Sequence, residues 1–477
     1  MSAKSSLVVV ANRLPVDRVT GPDGSVTWRR SPGGLVTAMQ PVLSTQRGTW
    51  IGWLGDTSPH GAPAPEPFQL EDFRLRPVPL TSEEVTRYYE GFSNSSLWPL
   101  YHDAVEPALF KRRWWDAYQR VNQRFAEAAA EEAADGATVW VQDYQLQLVP
   151  DLLRQMRPDL RIGFFLHIPF PPFELFMQLP RRAEVMRGLL GADLVGFQRP
   201  LGTRNFVNLA RHVLDLKTHG NTVLLEDGRK VVADAFPISI DVAEIERLAQ
   251  SAEVQARAKQ IRTDLGDPKT LILGVDRLDY TKGIERRFKA FRELLSEGRL
   301  SVPDTVMVQV ATPSRERVEH YQSLRNKVER EVGRINGEYG QVGVPAVHYL
   351  HQSYNRAELT ALYCAADVMV VTPLRDGMNL VAKEYVAARI DDRGTLVLSE
   401  FAGAIDELRQ AFACNPHDLD GLKQTLLRAV RAPEAEVRRR MRMMRRHLRA
   451  HDVERWAASF LTALGGDNHT QLQNSRF

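Results

Sequence analysis

The sequence predicts an α/β protein built from two doubly wound, parallel-sheet domains. Three observations carry that expectation. Short apolar, β-branched runs alternate with helix-patterned stretches along the chain, as in parallel sheets covered by helices on both faces. The alternation pauses around "FPISIDVAEI", residues 236–245, where one strand series ends and a charged helix precedes the next. At 477 residues the chain also exceeds one ordinary core, since domains run to roughly 150 residues.

Ligands of such sheets gather at the carboxyl ends of the strands, so each strand matters most where it stops. The first, "SLVVVANR", closes on Arg13, and the later "SPGGLVTAMQPVL" opens an amphipathic helix with Gly33 and Gly34. Paired glycines let backbone approach a phosphate, and Arg13 can fork two hydrogen bonds to a second anion. A plain Gly-Gly turn is the bland alternative. "TWIGWLG" and "YYEGFSNSSLWPLYHD" bring Trp53, Tyr89 and Trp98, a possible platform for a sugar face, although aromatic clusters more often fill cores. The strands in "WVQDYQLQLVP" and "FFLHIPFPP" end at Asp143 and His167. A carboxylate accepts from sugar hydroxyls, and an imidazole can donate to a hydroxyl or a carbonyl. "ADLVGF" and "KVVADAFPI" complete the first series.

The second series is "TLILGVDR", "TVMVQVATP", "AVHYL", "DVMVVTP" and "GTLVLSE". In "LILGVDRLDYTKG", Arg277 and Lys282 leave a strand and enter a turn. Two cations held on a rigid strand end would neutralise a departing pyrophosphate much as a metal does; ordinary surface cations are the alternative. "LRDGMNLVAKEYV" reads as a tight turn and a helix start, with Asp376 before it and Glu384 within it. A helix N-terminus offers unpaired N–H groups and a positive dipole end, which suit a diphosphate. Together these features predict one cleft between two domains, holding a nucleoside diphosphate and another anionic ligand.

Composition narrows the classes. A formal charge of +3 with 25% charged residues demands neither a nucleic acid nor a membrane partner. Seven arginines crowd "EVRRRMRMMRRHLRAH", yet Val437, Met441, Met444 and Leu448 form an apolar stripe at helical spacing, so a packed helix with a solvated basic face is expected. Cys364 and Cys414 are the only cysteines, which fits a reducing cytosol. The apolar run near the N-terminus is too short for a signal peptide, and no run approaches a membrane span. No GxGxxG follows a strand, no GxxxxGK[ST] is present, and no HExxH or Cys/His cluster occurs. His348 and His351 read as structural rather than metal-binding.

The ordered motifs "NRLP", "SPGGL", "YYEGFSN" with "LWPLYH", "WVQDYQL", "HIPFPP", "GVDRLDYTKG", "ATPSRERV" and "RDGMNLVAKEYV", spanning residues 12–386, resemble the trehalose-6-phosphate synthases. The resemblance implies a GT-B fold, with two Rossmann-like domains facing across a cleft: an acceptor domain over residues 1–238 and a nucleotide-sugar domain over 239–450. A C-terminal helix crossing back to the first domain and a polar tail would occupy 451–477. It implies a retaining glycosyltransferase joining glucose from UDP-glucose or GDP-glucose to glucose 6-phosphate, without a cofactor or metal. The oligomeric state stays open, a homo-oligomer included.

The resemblance also implies roles. The diphosphate would lie against Met378, Asn379, Leu380 and Val381, gripped by Arg277 and Lys282 and covered by Gly33 and Gly34. Asp376 would hold the donor glucose, Glu384 the ribose, and Tyr354 would lie near the base. His167 would sit beside the donor glucose. Arg13 and Arg315 would take the acceptor 6-phosphate, with Trp53, Tyr89, Trp98 and Asp143 around its sugar. The stretch "HYLHQSYNRAELTALY" departs from the other members, which leaves uracil and guanine both open. Two alternatives share the scaffold: a pseudo-glycosyltransferase coupling a nucleotide-cyclitol to a phosphorylated aminocyclitol, and a catalytically silent nucleotide-sugar sensor.

Overall fold

The computed structural model describes residues 4–20, 26–30, 48–57, 66–70, 73–315 and 317–465. The chain divides into two compact units, one formed by residues 1–238 with 454–477 and the other by 239–453.

In the first unit a ten-stranded sheet is centred on Ser5–Arg13, an apolar strand with all but two of its residues buried. Its parallel neighbours are Thr49–Trp53 on one side and Ala133–Gln142 on the other. Beyond Thr49–Trp53 lies Phe73–Pro77, and beyond Ala133–Gln142 come Arg161–Phe165, Leu194–Phe197 and Lys230–Ala235, all parallel. Short antiparallel strands finish both edges. The chain therefore winds outward in both directions from Ser5–Arg13, and the strand order reverses between Arg13 and Asp143. Helix Val453–Gly465 returns to this unit, where Phe460 stacks on Trp140 with centroids 4.3 Å apart. Gly163 and Gly196 make that seat, because a Cβ at either would collide with Phe460.

The second unit holds six parallel strands in the order Val347–Leu350, Thr305–Thr312, Thr270–Arg277, Val368–Val371, Thr395–Ser399 and Phe412–Cys414. Its reversal lies between Thr270–Arg277 and Val368–Val371. Those two strands pair only at Ile272 with Val368 and Leu273 with Met369, so their carboxyl ends open apart. Both units fulfil the doubly wound α/β expectation.

Two local readings need correction. The aromatic stretch after Thr81 is a wide-turned helix, Val85–Leu97, closed by an i+5 bond from the Trp98 N–H to the Ser93 carbonyl, and it buries Tyr88 and Phe92. Such π-helical runs are rare and leave no period that a 3.6-residue pattern reveals. Helix Glu434–Ala450 does bury Met441, Met444 and Leu448, but its basic side is not simply solvated. Arg445 is buried with them, bonded to Asp392 at 2.8 Å and Glu246 at 3.0 Å.

Candidate functional site

The donor candidates gather at the strand reversal of the second unit. Strand Thr270–Arg277 delivers Arg277, and the tight turn Tyr280–Lys282 then carries Lys282 back beneath it. On the other side of the reversal, Val368–Val371 runs through Thr372 and Pro373 to Asp376. Lys282 Nζ reaches Asp376 Oδ2 at 2.6 Å, and Asn379 Nδ2 donates to the same oxygen at 3.2 Å. Asn379 also caps helix Leu380–Ala388, its Oδ1 accepting from the Ala382 N–H at 3.0 Å. It sits at φ 136°, where few side chains rest without strain. The first amides of a helix have no intrahelical acceptor, and Asn379 ties this helix start to Asp376, whose carboxylate also meets Lys282. Within this unit the carboxylate, the ammonium and the helix N-terminus share one place.

Beneath them lies Asp279, with no exposed surface. Its Oδ1 accepts from the Thr281 N–H at 3.0 Å and the Thr281 hydroxyl at 2.8 Å; its Oδ2 accepts from the Tyr321 hydroxyl at 3.1 Å. Arg315 Nη1 stands 3.4 Å from Oδ2 and Arg277 Nη2 3.9 Å. Burial alone would raise this carboxyl, but the charges of Arg315, Arg277 and Lys282 and the Thr281 amide hold it well below the usual carboxylate range. Arg315, which the resemblance assigns to the acceptor 6-phosphate, is thus packed against the same acid as Arg277, with its guanidinium also on the Tyr321 hydroxyl.

Further supports were not legible beforehand. Arg287, 1% exposed, bonds Asp276 at 2.8 Å and Gln309, and reaches Thr372 at 3.2 Å. It thereby ties both strands of the reversal together directly behind Arg277 and Asp376. Gly274 leaves the space, since a Cβ there would meet the Arg287 guanidinium. The Tyr363 hydroxyl donates to Glu384 Oε2 at 2.9 Å, and burial raises the Glu384 carboxyl. Lys383, fully buried, is held by Glu407 at 2.6 Å. Tyr354 is half-buried on the loop after Val347–Leu350, its hydroxyl accepting from Gln352. His351 Nδ1 meets the Ala311 carbonyl at 3.0 Å, a structural contact.

In the first unit Arg13 ends the central strand with its guanidinium over the Trp53 ring, 5.1 Å from the centroid. Gly55, at φ 97°, admits it; a Cβ there would fall on the guanidinium. Tyr89 meets Trp53 edge-on at 5.8 Å. Trp98 does not join this pair: it is 4% exposed and packs on His102 at 4.1 Å and Tyr144 at 5.6 Å. Asp143, at φ 73°, occupies strained backbone across the reversal from Arg13. Its Oδ1 accepts from the His167 N–H at 3.1 Å. His167 Nε2 lies 2.9 Å from Gln142 Oε1 and Nδ1 3.5 Å from Gln198 Nε2. Loss of solvation lowers this imidazole to about 3, so it is neutral at ordinary pH.

Gly33 and Gly34 lie outside the described residues. Among those residues no group of three or more His, Cys, Asp or Glu side chains is disposed to hold a metal ion, and no helix is long and apolar enough to cross a membrane.

Two doubly wound units, each with its polar and cationic side chains collected where the strand order reverses, define a glycosyltransferase of GT-B architecture. Solved structures bear this out. A UDP-forming α,α-trehalose-phosphate synthase from Burkholderia xenovorans in complex with glucose-6-phosphate superposes with a TM-score of 0.88 at 35% identity, covering 96% of this chain and 100% of that one. A trehalose-6-phosphate protein from E. coli bound with UDP-2-fluoro glucose gives 0.87 at 34% identity, with 96% and 98% covered. The chain belongs to glycosyltransferase family 20, whose family model matches residues 5–465. It is 58% identical over 468 residues to the trehalose-6-phosphate synthase of Mycolicibacterium paratuberculosis, covering 96% of this chain and 95% of the relative. Against that of Mycobacterium tuberculosis it is 58% identical over 474 residues, with 97% and 95% covered.

Proposed function

We propose that the chain transfers glucose, with retention of configuration, from UDP-glucose or GDP-glucose to glucose 6-phosphate, giving α,α-trehalose 6-phosphate and a nucleoside diphosphate in the cytoplasm. Relatives at 58% identity carry the name of this activity, and the UDP-forming neighbours favour UDP-glucose as donor. The observation that carries the reading is the convergence of Arg277, Lys282, Asp376 and the Asn379-capped helix at one strand reversal. The free thiols Cys364 and Cys414 suit a reducing compartment.

In this reading the helix amides at Leu380 and Val381, with Met378 and Asn379, receive the diphosphate. Arg277 and Lys282 neutralise it, Asp376 holds glucose hydroxyls, Glu384 holds the ribose and Tyr354 flanks the base. Arg13, Arg315, Trp53, Tyr89 and Asp143 serve the acceptor, and His167 the donor glucose. The bond between the anomeric carbon and the phosphate oxygen breaks with its electron pair on oxygen. That oxygen takes the acceptor hydroxyl's proton as the new carbon–oxygen bond forms on the same face. Fixed cations stabilise the charge as it develops, which is the main work asked of the protein.

The purified chain incubated with each donor and glucose 6-phosphate tests this. The expected result is an α,α-linked disaccharide phosphate, identified by its anomeric NMR signals. Nucleoside diphosphate released without disaccharide, or no release with either donor, would overturn it.

A further inference from the structure

His167 leaves a question that its expected place beside the donor glucose does not answer: which of its nitrogens carries the proton. The surrounding hydrogen bonds decide it. Gln198, 5% exposed, accepts from the Ile238 N–H at 2.9 Å through Oε1. Its amide orientation is thereby fixed, and the group it turns to His167 Nδ1 is the NH2. An NH2 only donates, so Nδ1 must accept. A neutral imidazole then has its one proton on Nε2, and that nitrogen donates to Gln142 Oε1 at 2.9 Å. Turning the Gln142 amide over would present donors to both ring nitrogens, which no neutral imidazole can accept while keeping its proton.

We propose that Gln198 is a positioning residue that holds His167 as the neutral tautomer protonated on Nε2, so that the ring acts toward a sugar hydroxyl as a hydrogen-bond donor. The rest of the environment agrees. Phe165 and Trp456 flank the ring at 4.7 and 6.1 Å, and the nearby Asp143 carboxylate accepts from the His167 backbone N–H at 3.1 Å. The low basicity of the imidazole also removes it as a proton acceptor. When a donor sugar enters, the Nε2 proton passes from the Gln142 oxygen to a ligand oxygen as hydrogen-bond partner, with no change of charge. This last step rests on the function proposed above; the tautomer does not.

The test is nitrogen NMR on protein carrying 15N-labelled histidine, with the His167 signals identified by their loss in His167→Gln. The free protein should show a protonated Nε2 and a bare Nδ1. Gln198→Glu keeps the shape and the acceptor for Ile238 but turns a carboxylate oxygen toward Nδ1, so the proton should move to Nδ1. In the same variant kcat with the sugar-nucleotide donor should fall at least about tenfold, the value of one hydrogen bond, while KM for glucose 6-phosphate stays within about twofold. A protonated Nδ1 in the unsubstituted protein overturns the proposal whether or not the variant folds. So does an unmoved proton in Gln198→Glu. Absence of any disaccharide synthesis by the unsubstituted protein would defeat the proposed function and leave the tautomer assignment standing.

Discussion

Lys282 and Asp376 stand 94 positions apart in sequence and meet at 2.6 Å, bridging the two strand ends of the second unit's reversal. The ammonium is 10% exposed and the carboxylate 14%, so the pair is partly shielded yet open to a ligand. Lys282→Met should lower kcat by about a hundredfold or more, the scale of losing one charge-stabilising donor. Arg277→Ala should do the same with the melting temperature nearly unchanged, because that side chain is 43% exposed and 3.9 Å from its acid. Steady-state kinetics beside thermal melts check both. Turnover within twofold of the unsubstituted protein would remove these residues from the chemistry.

Asp279 predicts an acid limb of stability. Its folded carboxyl lies below its unfolded value of about 3.9, held there against burial by Arg315, Arg277 and Lys282. Such an acid stabilises fully above its unfolded pKa, and that stability is lost as pH falls from there toward the folded value. Asp279→Asn should cost about 3–5 kcal/mol at pH 7, since it leaves buried cations uncompensated. It should also flatten the decline between about pH 4 and pH 2. Urea titrations across that range report it.

Arg287 and Asp276 form a buried pair at 2.8 Å, with side chains 1% and 2% exposed. Arg287→Leu strands the carboxylate and should destabilise by about 3–5 kcal/mol. Because Asp276 adjoins Arg277, donor KM should rise in the folded fraction as well. Chemical denaturation with donor kinetics on one preparation separates the two effects.

Asn379 has two duties, a helix cap and a backbone at φ 136°. Asn379→Ala should lose about 1 kcal/mol from the cap and more from strain, whereas glycine tolerates that φ. The expected order of stability is Asn above Gly above Ala. Calorimetric titration should show weaker nucleoside-diphosphate binding for both variants. An alanine variant as stable as the parent would contradict the cap's role.

Much of this was readable in the sequence because strand ends in doubly wound sheets concentrate polar function. Arg13, Asp143, His167 and Arg277 each lie at or within two residues of the end of an apolar strand, and Asp376 follows the strand Val368–Val371 by five. What stayed hidden depends on contacts distant in sequence. Nothing near Asp279 announces that it is buried between Arg277 and Arg315, since a charged residue after a strand normally faces solvent. Gln198 lies in no motif and Gln142 is one unremarked position inside "WVQDYQL"; only their meeting at His167 gives them meaning. Trp98 looked like a sugar platform because an aromatic beside Gly and Asn suggests exposure, but the wide-turned helix rotates it onto Tyr144. Arg445 looked solvated because the arginine run hid a single inward position, which Asp392 and Glu246 compensate.

The central claim is that the cations and helix amides at the second unit's strand reversal take up the diphosphate. A crystal structure of the chain with uridine diphosphate measures this most directly. The β-phosphate should lie within hydrogen-bond distance of Arg277, Lys282 and the Leu380 and Val381 amides. Well-ordered uridine diphosphate bound elsewhere, with those four groups untouched, would contradict the account.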